Sequence, residues 1–570
     1  MGPPPVSKMG VSPQNAADAR VRTDPTDALA RFGVPFLLVT TVLTGAACVL
    51  VGARKWQIGI PGEWTWSYYE RPVTLLDVFV PLIPGALLVA VTGIALARRI
   101  SRGFEETAAV VIILFLAWGV TRTLSTTGPW GAEGHAYVTA TGWIGGYYGE
   151  AVRESNRGSL RRYLQAYGDT ISRLKVDDRI RGHIADHPPG PVVFHWLVNR
   201  TLERHPRLAG WFIPGENSGH AASTDLLRAT CEEFINLQDD LAYVSDPPNP
   251  NRRLTRLDPP VPLSRGAFAG IWASATLLQA AFWLSLVPLY LLGRETHSAE
   301  AGLVAVSLSA LIPSLHLFTP YVDQVFPLFA TWGYYAWHRA MTGKSVWWAA
   351  LAAIVVFAGL LWSLSLLLAV GILGLATLLK ILAEWREMRT AFRASAWAII
   401  VLAATGTFMA VSLLPLILFR YHTWEVWKVC LTQHARFSAL FHRSYLPWLW
   451  FNPVEFLLFA GVPTAVALVA TAYADLRCPR PSSRWPVASL ITWSLVGVLL
   501  VADISGKNLG EVARLWMFLM PFAALAAAPV VVRLDGKRGW VAAGVAMLTL
   551  AQTITFRLRL DVFGLDVYFR

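Results

Sequence analysis

The sequence predicts an all-α, polytopic membrane protein, a bundle of about 13 transmembrane helices with interfacial helices in a long first outer loop. Three observations carry that prediction. Hydrophobic residues make up 54% of the 570 residues. Charged residues make up only 15%, where a soluble chain carries about a quarter. Segment after segment of about 20 residues has almost no charge, enough to cross a hydrocarbon layer of ~30 Å. The apolar runs are continuous rather than alternating, which excludes a β-barrel. A mean hydropathy of +0.45 excludes a soluble enzyme, a disordered chain and a disulfide scaffold.

The elements follow in order. Residues 1–31 are polar and Pro-rich and read as a disordered cytoplasmic tail, without a signal peptide's apolar core. Spans are expected near 33–52, 73–97, 107–124, 267–292, 297–318, 321–341, 346–362, 364–381, 396–419, 452–473, 487–503, 515–532 and 539–556. The chain thus divides into a tail, two additional N-terminal spans within 32–106, a core over 107–345, and a C-terminal bundle over 346–570.

The net charge is +12. In a soluble protein that would suggest nucleic acid, but here the basic residues sit mostly in short loops, so topology and anionic lipid are the simpler account. With the N-terminus in the cytoplasm, Arg98, Arg99, Arg294, Arg339, Lys344, Arg477, Arg533 and Arg538 all fall inside, as the positive-inside rule expects. The expected location is a plasma membrane.

The outer side then holds two long stretches, about 125–266 and about 420–451, rich in Trp, Tyr, His, Arg, Asp and Pro. The first contains Glu133-Gly134-His135-Ala136-Tyr137, then a polar helical piece near 150–182, then Asp186-His187-Pro188-Pro189-Gly190-Pro191. The apolar run after that is too short to span and reads as an interfacial helix started by proline. A further amphipathic helix is expected near 223–243, with Leu226, Leu227, Phe234 and Leu241 on one side. Asn199-Arg200-Thr201 forms a glycosylation sequon. Cys231 and Cys430 lie on one side in this topology, which leaves a disulfide open.

Ionisable groups gather at this one face. Early in the chain they are Glu133, His135, Asp186, His187 and Asp323; late in the chain they are Glu425, Lys428, His434, Arg436, His442, Arg443, Lys507, Glu511 and Arg514. Carboxylates come early and cations late. That division suits a site where one half activates a hydroxyl and the other holds a phosphate.

On these residues the chain resembles the GT-C superfamily of integral-membrane glycosyltransferases, in particular the protein O-mannosyltransferase and aminoarabinose transferase branch. Three motifs carry the resemblance: Ala132-Glu133-Gly134-His135-Ala136-Tyr137, the turn His187-Pro188-Pro189, and the stretch from Leu289 to Arg294 followed by Pro313 and Asp323. They cover roughly 107–345. The sequence departs from the family pattern at Ala132, where an acidic pair is usual.

The resemblance implies a polyprenyl-phosphate sugar as donor and an inverting transfer to an acceptor hydroxyl on a glycan, lipid or protein. It implies Glu133 as general base with Asp186 second, and Arg443, Lys507, Arg514 and His434 around the donor phosphate. His135, Tyr137, His187 and Asp323 become substrate contacts. No cofactor is implied with certainty, and a divalent metal is left open.

Each residue also has a plainer reading. Glu133 can be a solvated loop carboxylate, Asp323 a helix cap, and Arg443 and Lys507 groups reaching for lipid headgroups. Arg514 lies slightly inside the apolar boundary, which is costly without a partner. The competing functions are a transporter or lipid flippase, a glycan polymerase or ligase of similar body plan, and a membrane scaffold. Transporters tend to carry midplane charge, whereas the span centres here are apolar.

Overall fold

The computed structural model describes residues 31–100, 103–128, 130–141, 146–173, 182–214, 221–237, 262–384, 391–439, 442–477, 487–536 and 538–564. The N-terminal tail, the stretch after Leu237 that includes Leu241, and the basic loop after Arg477 lie outside them.

The described residues are helical almost throughout, with two short antiparallel strand pairs, one a hairpin and one between distant parts of the chain. Eight helices are long and apolar enough to cross a membrane: Gly33–Gly52, Leu75–Ala97, Gly103–Thr126, Arg265–Thr296, Leu364–Ala383, Ala396–Phe419, Met517–Asp535 and Trp540–Arg559. A ninth crossing results if the pair Tyr445–Phe459 and Val462–Arg477, bent by 112°, counts as one span. The chain is therefore built as a multi-pass membrane protein. Four other expected spans are helical but fall short of that test. The 297–318 region breaks into Ala299–Ser309 and Pro313–Leu317 because Pro313 has no N–H to continue the ladder. Phe326–Gly343 carries His338 and Arg339, and the helices over 346–362 and 487–504 are short.

Close contacts set the helix directions. Gly33 packs on Leu534 and Val541, and Gly52 on Thr555, so helix 33–52 runs parallel to helix 540–559. Gly85 meets Leu550 and Gly93 meets the Gly539 carbonyl, so helix 75–97 runs the other way. Arg557 Nε donates to the Leu124 carbonyl at 3.1 Å, which places Thr126 and Arg559 at one end. Helix 265–296 returns beside helix 103–126: Arg122 donates to Gln279 at 2.7 Å near one end, and Arg294 pairs with Glu106 at 2.7 Å near the other. Helix 520–535 is the most enclosed, with Ala523, Ala524, Ala526, Ala527 and Ala528 letting its neighbours approach closely. Buried Asp535 accepts from the Gly539, Val541 and Ala542 amides and so starts the last helix.

The end of the bundle that holds Gly52, Leu75, Thr126, Arg265, Ile504 and Arg559 carries the extra structure. Hairpin Gly59–Ile60 with Trp64–Thr65 lies there, and Ser67–Tyr68 pairs with Leu560–Asp561. The polar piece expected near 150–182 forms two helices, Tyr147–Arg157 and Leu160–Arg173. The Pro-started helix is Gly190–Arg204, with Pro191 in its first turn. The later helix is Ala221–Leu237, with Leu226 exposed and Leu227 packed on the core.

Two possibilities that the sequence leaves open are answered by the structure. Asn199 is fully buried and accepts from the Tyr148 hydroxyl at 2.8 Å, so the sequon is closed to glycosylation. Cys231 and Cys430 are separate buried thiols and form no disulfide.

Candidate functional site

At the same end of the bundle, segments from four parts of the chain converge. The first is the turn after the short helix Gly182–Ala185. The Tyr167 hydroxyl donates to the carbonyls of Ile184 and His187, both at 2.8 Å, and so clamps this turn. Gly190 allows the turn to seat on the end of helix 346–362; a Cβ there would stand 2.4 Å from the Leu361 carbonyl oxygen. The result is a buried carboxylate, Asp186, 5% exposed.

The second segment is helix Thr423–Ser438, which docks on helix 160–173 through Gln433 Nε2, donating to the Ile171 carbonyl at 2.8 Å. That docking brings His434 Nδ1 to 3.4 Å from Asp186 Oδ2. His187 Nε2 stands 3.7 Å from Asp186 Oδ1. Burial holds His187 below the usual imidazole range, with Asp186 opposing. The Tyr147 ring lies 6.0 Å from the His187 ring, and burial raises its phenol well above the usual value. The charges of Asp186, Asp323 and Arg514 all act on the Tyr147 phenol, so the two clusters share this neighbour.

The third segment is the short 3₁₀ turn Val322–Val325, which presents Asp323. Burial pushes the Asp323 carboxyl up to about 6, against the pull of Arg514.

The fourth is the loop 505–516. Gly510 and Glu511 both have left-handed backbone, φ +87° and +58°. The turn is pinned on several sides. Asn452 accepts from the Gly510 amide at 3.0 Å and donates to the Asn508 carbonyl at 2.9 Å. Glu455, fully buried, accepts from the Ala513 amide at 3.2 Å. Ser314 donates to the Ala513 carbonyl. Held in this way, Glu511 pairs through Oε1 with Arg443 at 2.8 Å and through Oε2 with Arg514 at 3.3 Å. Arg514 Nε lies 4.0 Å from Asp323 Oδ2, and the Arg514 guanidinium stands 5.8 Å from the Tyr321 ring centre.

The first interhelical loop completes this half. Glu63 accepts from the Ser444 amide at 2.9 Å and the Trp448 indole at 2.8 Å, beside Arg443. The Trp64 and Trp448 rings flank the Arg443 guanidinium at 5.4 and 5.7 Å. Trp66 donates to Glu455 at 3.0 Å across 389 residues of sequence. These residues escape sequence reasoning because they belong to spans that look like additions to the core; the only signal is a Trp-rich loop, Trp64-Thr65-Trp66.

The structure thus brings together Asp186, His187, His434, Asp323, Arg443 and Arg514. It does not bring Glu133 to them. Glu133 is exposed, in the first turn of helix Gly131–Thr141, and its charge acts on Tyr137. The Tyr137 phenol is pushed up to about 12 by burial, with Glu133 adding to the rise. His135 is buried beside Gln279, 3.5 Å away, and burial with Arg122 and Arg557 lowers it to about 3, so it is a neutral packing group. Lys507 is exposed at the loop tip. Among the described residues no group of three or more His, Cys, Asp or Glu side chains is arranged to hold a metal ion.

Compared with known proteins, the chain matches no family model and no curated protein.

Proposed function

We propose that the protein is a glycosyltransferase of the integral-membrane GT-C type, moving a sugar from a polyprenyl-phosphate donor to an acceptor hydroxyl with inversion. The observation that carries this reading is the gathering of two unlike clusters at one end of the bundle. One is a buried carboxylate with histidine neighbours, Asp186 with His187 and His434. The other is a pair of buried or half-buried arginines, Arg443 and Arg514.

In this reading the acceptor hydroxyl attacks the anomeric carbon and gives its proton to Asp186. His434 reaches that carboxylate and positions it, and His187, kept below the usual imidazole range by burial, flanks its other oxygen. The sugar–oxygen bond to phosphate breaks, and the phosphate leaves carrying the electron pair. Arg443 and Arg514 stabilise that charge through paired N–H donors in a low-dielectric setting. No separate general acid is needed, because a lipid phosphate is already a weak base. Asp323 orients Arg514 and contacts the sugar. Glu133, exposed on its helix beside Tyr137, stands apart from the transfer step.

The reading includes the four shorter helices as further crossings, about 13 in all. It places the site outside the cytoplasm, since Arg98, Arg99, Arg294, Arg339 and Arg538 gather at the opposite end. The test is a transfer assay on purified protein in lipid with a panel of polyprenyl-phosphate sugars, run on wild type and Asp186→Asn. Transfer from one donor, lost in the variant, is the result this reading expects. Passage of lipid across the bilayer without transfer would favour the flippase instead.

A further inference from the structure

The arginine pair already holds an anion. Glu511 bridges it, one carboxylate oxygen to each guanidinium, 2.8 Å to Arg443 and 3.3 Å to Arg514. Two oxygens of one phosphate group would make the same bridge. The geometry points to Glu511 as a displaceable stand-in for phosphate: a phosphate-bearing ligand enters by replacing the Glu511 carboxylate between Arg443 and Arg514. This rests on the reading of the arginines as a phosphate subsite.

Three features of the site separate a stand-in from a permanent pillar. The first is mobility by exposure. The Glu511 side chain is 21% exposed while that of Arg514 is 9% exposed, so the carboxylate can swing out and leave the arginines standing. Arg443 is further held by the Leu509 carbonyl and lies beside the rings of Trp64 and Trp448.

The second is backbone. Glu511 has φ +58°, a left-handed conformation that a side chain with a Cβ adopts at a cost. The neighbouring Gly510 has φ +87°. The chain keeps a carboxylate at this strained corner, where glycine would sit without strain.

The third is an unused donor. Arg514 Nε is buried and makes no hydrogen bond; its nearest acidic oxygen, on Asp323, is 4.0 Å away. A carboxylate offers two oxygens and both are taken. A phosphate offers a further oxygen that this donor can meet.

The exchange is balanced in charge. With Glu511 in place, the empty site does not leave two buried cations uncompensated, which would be costly at a membrane face. When phosphate arrives, one anion replaces another. A neutral glycan cannot compete with the carboxylate, so the arginines stay closed to ligands that lack the charge. The site therefore selects for phosphate before any sugar contact is made.

The experiment measures phosphate binding to the full chain in phosphatidylcholine vesicles, with inorganic phosphate in one arm and polyprenyl phosphate in the other. The rise of the thermal unfolding midpoint with ligand concentration, from which a Kd is read, provides the readout. Glu511→Gln removes the competing charge and keeps the side chain's shape. Glu511→Gly removes it and suits the backbone, so it folds even where the first variant does not. Both variants should bind phosphate on the order of tenfold more tightly than wild type, the size of one lost charged competitor. Arg443→Gln should lose binding. Binding of inorganic phosphate supports exchange by the headgroup alone; binding of the polyprenyl form only supports exchange that needs the lipid tail. Unchanged or weaker binding in both Glu511 variants, with thermal unfolding as in wild type, would overturn the proposal. The outcomes stay separate from those of the transferase reading: tighter phosphate binding without sugar transfer sinks that reading alone, and transfer with no tighter binding sinks this inference alone.

Discussion

The Asp186 carboxylate lies 3.4 Å from the His434 imidazole, although 248 residues separate them in sequence. Helix 423–438 reaches across the end of the bundle to make this contact. The pair matters because a buried carboxylate is costly unless a polar partner meets it, and here the His434 imidazole reaches Asp186 Oδ2.

Asp186→Asn keeps the shape and removes the proton acceptor. Turnover should fall by roughly 10²–10⁴-fold, the usual worth of a positioned base. Glu133→Gln should change turnover far less, since Glu133 is exposed beside Tyr137. Steady-state transfer by the two variants side by side checks this.

Arg514→Lys keeps the charge and loses the planar fork. The donor's KM should rise on the order of tenfold, with a smaller change in kcat. Arg514→Leu is a different experiment. It leaves Asp323 buried without its nearest cation, while Glu511 keeps Arg443 at 2.8 Å, and should destabilise the protein by about 3–5 kcal/mol, read from denaturant unfolding in detergent.

The pH dependence of stability follows from Asp323, which faces Arg514, Tyr321 and Tyr147. Burial raises its folded-state value to about 6 from an ordinary 3.8. A carboxyl raised in this way binds a proton more tightly in the folded state. Its contribution is therefore fully present below about pH 4 and is lost as pH rises through about 6. Asp323→Asn should flatten that part of the profile. Melting temperature against pH between 4 and 7, wild type against variant, is the measurement.

Trp66→Phe keeps most of the aromatic contact with Phe318 and Phe459 but removes the N–H that reaches Glu455. A fully buried carboxylate then keeps only the Ala513 amide. The expected loss is about 1–3 kcal/mol, seen as a lower midpoint of unfolding. Because the Ala513 turn carries Arg514, donor KM should rise as well.

Gly270 is where helix 265–296 meets helix 190–204. A Cβ there would stand 2.0 Å from Asn199 Oδ1 and 2.7 Å from the Tyr148 hydroxyl. Gly270→Ala should therefore cost about 1–3 kcal/mol through overpacking, and turnover should fall as the His187-Pro188-Pro189 turn shifts. Thermal unfolding and transfer on the same sample check both parts.

Much of the helical frame was legible in the sequence, because a lipid-facing helix has to be apolar over its whole length. The expected spans at 33–52 and 346–362 coincide with the helices Gly33–Gly52 and Val346–Trp362. Averaged hydropathy does not register a local break. The expected continuous segment at 452–473 bends by 112° around Gly461, which has φ +98°. The site was legible as a set of residue types on one face, and Asp186, Asp323, Arg443 and Arg514 do come together. The separation of Glu133 from them was not, because it depends on which side of helix 131–141 faces the core. Nor was the part played by Glu63, Trp64 and Trp66, since partners nearly 400 residues away leave no local pattern.

The most direct test of the central claim is sugar transfer from a polyprenyl-phosphate donor by the purified protein in lipid, with Asp186→Asn beside wild type and donor binding measured on both. The account predicts transfer from one donor by wild type, loss of turnover in the variant, and donor binding retained in both. Equal turnover by the two proteins would contradict Asp186 as the base. Absence of both donor binding and transfer across the panel would contradict the glycosyltransferase reading itself.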